Sequence, residues 1–561
     1  MITTSGEALR GLAPEFAIQS LKAIEIDESE VVKVSCLRVL QGYLKILPPT
    51  RAQEFQVQTV AAVSSFLSSH DLSEVGDSED VLDTLVETLR DGIMTDPTLC
   101  LDNSALDVLF TMASYGARSW QTTMLVNETF ESVTSTMASQ GPEAYARLCA
   151  KVLPSLTGAL DVGDMTQENS LSDMAVALLS TLAEYGSEPL PQGFVSTLLP
   201  KLYRLIFLDL EFSVHQAATI TIKYILIHDA AQLFAWRDPE TGKEGLEIVL
   251  LIIDRLLGPK VDDSSAAEVG GLAVELVEKA GAEKLGPYLM QLLQVVAIRL
   301  STAERTNFIQ NLVLVFARLS LTNAKDVLDF LAQVHIEGPN GGTGLEVVMR
   351  KWLENSVNFS GYDDIRQNVI ALTNIYKLHD ERLAGIQTKG DLLVQNTTRI
   401  KTRSQAKKEP DQFSIVPVPL KLTKVLIQEL ALPSPLTPGL AGGLNKNTKE
   451  SSPSDDEDDE WEDEPTVLDL GAPTTRQGWL HQSTFGCNIT DMLLLPDLMG
   501  YMDESRWNTR QTDDETQKYL IDFFNNVSNE PGFQQLYHSL TDEEREKLHK
   551  MNESNGHIPA Q

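Results

Sequence analysis

Apolar residues recur at steps of three and four along this chain from about residue 7 to about residue 430. In VVKVSCLRVLQGYLKIL, Val34, Leu37, Leu40, Leu44 and Leu47 share one face. In PYLMQLLQVVAIRL, Leu289, Leu292, Leu293, Val296 and Leu300 do the same. A period near 3.6 residues is that of an amphipathic helix with one face turned to a core. Ser301 with Glu304, Thr512 with Glu515 and Thr541 with Glu544 have the spacing of a capping box. Pro142 and Pro287 sit where a first helical turn tolerates a missing N–H. Pro48, Pro49, Pro189, Pro191 and Pro259 break the chain between periodic segments. No strand alternation competes over a comparable length.

The helices group in antiparallel pairs. The pattern puts the first helix of successive pairs near residues 29, 78, 120, 169, 211, 263, 303 and 343, in steps of about 40–52 residues. HEAT and armadillo units repeat every ~40–47 residues, whereas TPR and ankyrin units are shorter at ~33–34. One pair cannot bury its apolar face alone, so stacked pairs share a continuous core. The fold class expected is all-α: a HEAT-repeat α-solenoid, a curved superhelix of about eight to nine antiparallel helix pairs over residues 1–430. Such a curve presents a long wall rather than a small pocket. That favours wrapping a macromolecule over turning over a metabolite.

Past about residue 384 the pattern changes. A basic stretch, RIKTRSQAKKEP, carries Arg399, Lys401, Arg403, Lys407 and Lys408. An apolar helix, PLKLTKVLIQELAL, follows it. Residues 431–465 read as a Pro/Gly/Ser-rich linker ending in DDEDDEWEDE, Asp455 to Glu464, in which nine of ten residues are acidic. Mutual repulsion should keep that run extended and disordered. Residues 466–551 should form a helical cap, with Tyr519, Leu520, Phe523 and Phe524 on one side of a helix, and 552–561 a disordered tail.

Charge narrows the function. Asp plus Glu is 80 against 45 Lys plus Arg, giving a net charge of −35 over 561 residues. Such a surface repels nucleic acid and anionic lipid and attracts basic proteins. Cys36, Cys100, Cys149 and Cys487 lie too far apart for a zinc ribbon or a disulfide framework, which fits a reducing compartment. The first residues lack a basic-then-apolar signal sequence, and the richest apolar run, IVLLII, is cut by Asp254 and Arg255.

At IKTRSQAKKEP, the acidic run after it and the closing TQKYLIDFFNNVSNEPGFQQLYHSLTDEEREKL, the sequence resembles the karyopherin-β family (importin-β superfamily). The resemblance is to the C-terminal half of its importin-9-like group, in the fungal form. Members of that family are about twice this long, and the N-terminal repeats that hold their principal Ran-type GTPase site have no counterpart here. The resemblance implies nuclear import of basic cargo such as core histones, ribosomal proteins and the TATA-binding protein. It also implies a chaperone-like shielding of that cargo, regulation by Ran GTPase, contact with nucleoporins, and shuttling between cytoplasm and nucleus through the nuclear envelope pore. No cofactor, direct nucleic-acid partner or membrane partner is implied.

Candidate residues follow from both lines of reasoning. Asp455, Asp456, Glu457, Asp458, Asp459, Glu460, Glu462, Asp463 and Glu464 suit cargo lysines and arginines. Trp461 among them could stack on an arginine or dock on an apolar spot. The competing reading is a solvated, solubilising tail. Individual exposed ion pairs contribute ~0–1 kcal/mol, so the benefit must be collective and weaken with salt. Ser454, before Asp455, Asp456 and Glu457, suits an acid-directed kinase, and an ordinary linker serine is the alternative. The basic stretch reads as an intramolecular tether to acidic repeat edges or as a nuclear-localisation or nucleic-acid patch. GPNGGTGLE, Gly338 to Glu346, lacks the ending of a phosphate loop and reads as a turn between helices. His215 and His228 have no carboxylate or cysteine at ligand spacing. With no metal or recognisable nucleophile–base set, a non-enzymatic protein binder is expected. The alternatives are a scaffold subunit of a multi-protein complex and an export receptor.

Overall fold

The computed structural model describes residues 11–26, 29–46, 51–70, 79–161, 170–208, 210–286, 288–338, 341–393, 412–431 and 514–554. These residues form an all-α HEAT-type array divided into two compact units, 1–315 and 316–561.

The first unit opens with α1 (Ala13–Ile26), α2 (Glu30–Leu44) and α3 (Ala52–Ser69). Helix pairs follow: α4 (Glu79–Met94) with α5 (Ala105–Gly116), α6 (Trp120–Gln140) with α7 (Pro142–Ala159), and α8 (Ser170–Glu184) with α9 (Phe194–Phe207). Next come α10 (Phe212–Ala235) with α11 (Gly245–Leu256), α12 (Val269–Leu285) with α13 (Tyr288–Thr302), and then α14 (Thr306–Gln333). The starts of α2, α4, α6, α8, α10, α12 and α14 lie at or a few residues beyond the positions expected from the apolar period. In α4, Leu82, Leu85, Val86, Leu89 and Ile93 are all essentially inaccessible, at the three- and four-residue steps that make one apolar face. First helices pack on first helices, from α2 through α4, α6, α8 and α10 to α12, and α7, α9 and α11 form a parallel row of second helices.

Polar side chains tie each repeat to the next near the sequence period. Arg147 of α7 reaches Asp102 at 2.7 Å, Lys201 of α9 reaches Asp161 at 2.5 Å, and Arg299 of α13 reaches Asp263 at 2.7 Å. Gln216 donates to the Ser264 carbonyl at 2.8 Å and Tyr145 to the Leu182 carbonyl at 2.5 Å. Backbones also meet: a Cβ on Gly270 would collide with the carbonyl of Asn311, so only glycine lets α12 approach α14 there.

Local start signals held unevenly. Pro142 is the first residue of α7, as its missing N–H suggests. Thr541 and Glu544 do exchange cap bonds, the Thr541 N–H donating to Glu544 Oε2 at 2.8 Å and the Glu544 N–H to Thr541 Oγ1 at 3.3 Å. Ser301 and Glu304 do not. Ser301 Oγ donates back to the Ile298 carbonyl at 2.7 Å, and the N–H groups of Glu304 and Arg305 are taken by Asp263 Oδ2 at 2.7 and 3.0 Å. A carboxylate some forty residues away outcompetes the local serine because it is charged and already fixed by Arg299. Pro48, Pro49, Pro287 and Thr512 lie outside the described residues.

In the second unit, β1 (His335–Ile336) pairs antiparallel with β2 (Gly342–Thr343), with Ile336 opposite Gly342. The glycine-rich GPNGGTGLE is thus the turn between α14 and α15 (Gly344–Asn355), tightened into a small ribbon. Gly338 and Gly342 take positive φ there, 120° and 150°. Thr343 and Glu346 then form the capping box of α15, with bonds of 2.9 and 3.2 Å. Helices α16 (Tyr362–Lys377) and α17 (Glu381–Ala384) lead to β3 (Gln387–Leu392), which pairs antiparallel with β4 (Phe413–Pro417). Neither ribbon was visible in the periodicity. Helix α18 (Val418–Ala431) packs on α16 and on both strands of the second ribbon. After residues 432–513 the chain returns as α19 (Asp514–Val527), α20 (Pro531–Tyr537) and α21 (Asp542–Ser554), with α19 and α21 packed against α18. Leu520, Phe523 and Phe524 are buried as expected, and the Tyr519 hydroxyl is hydrogen-bonded to Thr373 at 2.7 Å.

Candidate protein-binding surface

The row of first helices carries a continuous polar seam. Its links can be followed helix by helix. Gln41 of α2 donates to the Thr84 carbonyl and to Thr88 Oγ1 of α4, both at 3.1 Å. Thr122 of α6 donates to Asp83 of α4 at 2.7 Å, and Arg90 meets Glu128 at 3.2 Å. Tyr185, just past α8, donates to Glu131 of α6 at 2.8 Å. His228 of α10 lies 3.3 Å from Glu188 and 3.1 Å from the Glu184 carbonyl.

Carboxylates dominate this seam. Asp80, Asp83, Glu87 and Asp91 follow one another at helical steps on α4, and Glu128, Glu131, Glu184 and Glu188 continue the line. Against these eight stand Arg38, Lys45 and Arg90. Crowding is felt at Asp91: burial raises its pKa, Lys45 and Arg90 pull it down, Glu87 pushes it up, and the balance is a rise. Such a seam can take lysines and arginines of a partner in many weak contacts. No residue in it stands out as a single anchor. The spacing on α4 was legible in the sequence. Its alignment with α6 and α8 was not, because that depends on which faces the repeats turn toward one another.

The residues singled out earlier for cargo, Asp455, Asp456, Glu457, Asp458, Asp459, Glu460, Trp461, Glu462, Asp463 and Glu464, lie outside the described residues. So do Ser454 and the basic residues Arg399, Lys401, Arg403, Lys407 and Lys408. What the structure adds is where the basic stretch starts and ends. It connects β3 to β4, and its two flanks are hydrogen-bonded to each other, the Leu393 N–H donating to the Gln412 carbonyl at 2.7 Å. Beneath this base, Lys424 of α18 is almost fully buried, bonded to Asp391 and Glu544, each at 2.8 Å.

The remaining titratable groups have structural surroundings. His215 is buried in α10 with Nε2 on the Leu208 carbonyl at 3.1 Å, and burial lowers its pKa against the pull of that carbonyl. Cys100 and Cys149 are buried, and desolvation pushes both thiols up to about 12. Thiols of that kind are poor nucleophiles and metal ligands at neutral pH. Among the described residues no group of three His, Cys, Asp or Glu side chains is placed to hold a metal ion, and no helix is long and apolar enough to cross a membrane.

With this geometry in hand, the comparisons with known proteins are informative. A family model described as importin-9 central HEAT repeats matches residues 1–117. Importin subunit beta-5 of Schizosaccharomyces pombe is 26% identical over 539 residues, covering 95% of this chain and 49% of that protein. Importin subunit beta-5 of Saccharomyces cerevisiae is 25% identical over 559 residues, covering 96% of this chain and 52% of that protein. Importin-9 of Drosophila melanogaster is 25% identical over 417 residues, 73% of this chain and 40% of its own length. The chain therefore spans about half the length of these relatives, whose names are those of transport receptors rather than enzymes. Among solved structures, the exportin Cse1 in its cargo-free, cytoplasmic state superposes with a TM-score of 0.56 at 12% identity, over 98% of this chain and 48% of that one. At that identity the match establishes the repeat fold alone.

Proposed function

We propose that this chain, which belongs to the importin-9-like group of the importin-β superfamily, is the cargo-holding part of a nuclear import receptor for basic proteins. The observation that carries the reading is the near-complete coverage of the chain by two importins, joined to the carboxylate seam along α4, α6 and α8. Cargo arginines and lysines engage the seam and the run Asp455–Glu464 together, with Trp461 as the aromatic contact within that run. The run alone holds nine of the excess negative charges in a total of −35. Encounter is steered and fast, and attraction is shared among many exposed pairs of ~0–1 kcal/mol each. Core histones, ribosomal proteins and the TATA-binding protein are suitable cargo, passage between cytoplasm and nucleus is by contact with nucleoporins, and release by Ran in its GTP form is weakened or absent where the N-terminal repeats that hold its principal site are missing. Shielding of cargo from nucleic acid follows from the same charge. The basic stretch at 399–408 acts within the chain, and Ser454 is a phosphorylation site that makes the run more acidic.

The test is titration of a core histone dimer into the full chain at low and high salt. Affinity should fall at least tenfold as the Debye length shrinks from ~30 Å at 0.01 M to ~8 Å at 0.15 M. Converting the nine carboxylates of Asp455–Glu464 to their amides should weaken binding and flatten the salt dependence. Affinity that ignores salt, or equal binding of an acidic control protein, would refute the proposal.

A further inference from the structure

Tryptophan is mostly buried in folded chains, because its ring carries so much apolar area. Trp352 follows that rule at 1% exposure, with its indole N–H donating to Asn368 at 2.6 Å. Trp120, the first residue of α6, is 77% exposed. Among the described residues its indole has no hydrogen-bond or ring partner. The helix does not need an indole there. Ser119 supplies the cap, accepting from the Thr122 N–H at 3.3 Å, and a first helical position tolerates many residue types.

Trp120, Met124, Glu128 and Glu131 follow one another at helical steps of four, four and three, which puts them on one face of α6. The indole thus stands at the head of the stripe that carries this helix's share of the carboxylate seam. Arg90 of α4 reaches Glu128 at 3.2 Å and Tyr185 donates to Glu131 at 2.8 Å, so both carboxylates are held from neighbouring elements. Glu128 is still 46% exposed, and Glu131 is exposed. Helices α4 and α6 carry seven carboxylates and one cation, Arg90, while Arg118 precedes α6. An aromatic face beside unbalanced negative charge fits a guanidinium, whose plane stacks on the ring while its charge is drawn to the carboxylates. At 1.5 Å per residue the indole lies about 12 Å from Glu128 and about 16 Å from Glu131 along the helix. An extended chain covers about 13 Å in four residues, and residues four apart share a face. We infer that Trp120 docks an arginine of an extended basic segment, and that a basic residue four positions along that segment reaches Glu128 and Glu131. The anchor stands beside the carboxylates and not among them. The inference rests on the reading of this chain as a binder of basic proteins, and adds the pattern such a partner carries.

Titration of the full chain with a peptide of four Arg-Gly-Ser-Gly repeats tests it, beside the same peptide with lysine in place of arginine. Trp120→Ala should bind the arginine peptide about three- to tenfold more weakly, with an unchanged melting temperature. Trp120→Phe should fall between that variant and the parent. The parent should prefer the arginine peptide to the lysine peptide, and Trp120→Ala should lose that preference while keeping its salt dependence. Glu128→Gln with Glu131→Gln should do the reverse, flattening the salt dependence and keeping the preference. An arginine peptide that the parent does not bind, or binds no better than Trp120→Ala does, would overturn the dock. If a core histone dimer still binds the parent in a salt-dependent way, the reading of the surface survives that result, and if the dimer fails as well, both fall. Concentration-dependent dimerisation of the parent, abolished by Trp120→Ala, would also overturn the dock by assigning the ring to a second copy.

Discussion

Replacing Asp263 by alanine should open one repeat junction and leave the others closed. The carboxylate is 13% exposed and its partner Arg299 is 9% exposed, at 2.7 Å. Asp263 also accepts the N–H groups of Glu304 and Arg305, so it caps the approach to α14. Burial works to raise its pKa, but the two backbone N–H groups and Arg299 outweigh it and the net shift is downward. Removing one member of a buried pair typically costs ~3–5 kcal/mol, because the other charge is left stranded. Arg299 keeps some company, with the Val261 carbonyl at 3.0 Å, Thr302 at 3.1 Å and the Phe308 ring at 4.7 Å. The two amides are exposed enough for water to replace the carboxylate. The lower end, about 3 kcal/mol, is therefore expected. Asp263→Ala combined with Arg299→Ala should cost less than the sum of the singles, with a coupling of ~0.5–3 kcal/mol. A folded pKa below the ordinary carboxylate value means the pair is fully stabilising above about pH 4 and is lost as pH falls through the lower folded value. Hydrogen exchange in urea reads all of this: protection should drop across α12, α13 and the start of α14 and hold in α4 through α9. A loss under ~1 kcal/mol, or one spread evenly over the array, would refute the reasoning.

Three further outcomes are expected. Glu268 is part-buried, burial raises its pKa against the pull of Lys223, and its buried Oε2 has no hydrogen-bond partner. A raised folded pKa means stability declines as pH rises through it, so Glu268→Gln should flatten the fall in Tm above pH 5, and an unchanged slope would refute the assignment. Gly270→Ala forces α12 away from the Asn311 carbonyl and should cost ~1–3 kcal/mol or more by chemical denaturation, and a neutral result would mean the helices have room to slide. Burial lowers the pKa of Lys424, but Asp391 and Glu544 reverse that and leave it raised, so its contribution is present below pH 10.5 and lost above the folded value. Lys424→Met should therefore speed hydrogen exchange in α21 at neutral pH, and protection equal to the parent would dismiss the contact.

The repeat framework was readable because helix pairs announce themselves locally. Leu82, Leu85, Leu89 and Ile93 fall on one face whatever lies opposite, and proline or a polar gap marks each end. What escaped depended on distant partners. Ser301 has the local chemistry of a cap, yet Asp263 holds the N–H groups it would have served. The β3–β4 ribbon escaped because QTKGDL has little strand propensity of its own and is held by FSIVP and α18. The acidic character of the chain was plain from its net charge, whereas the seam needed Thr122 against Asp83 and Tyr185 against Glu131 to be traced.

The clasp between α18 and α19 has an evolutionary corollary. Because α18 and α19 pack against each other, a change in the length of the 82 residues between them leaves that contact in place. Doubling the length of a connection between two fixed ends costs only ~0.6 kcal/mol in closure entropy. Related chains should thus diverge most in size and wording at this one address, while the helical stack stays as it is.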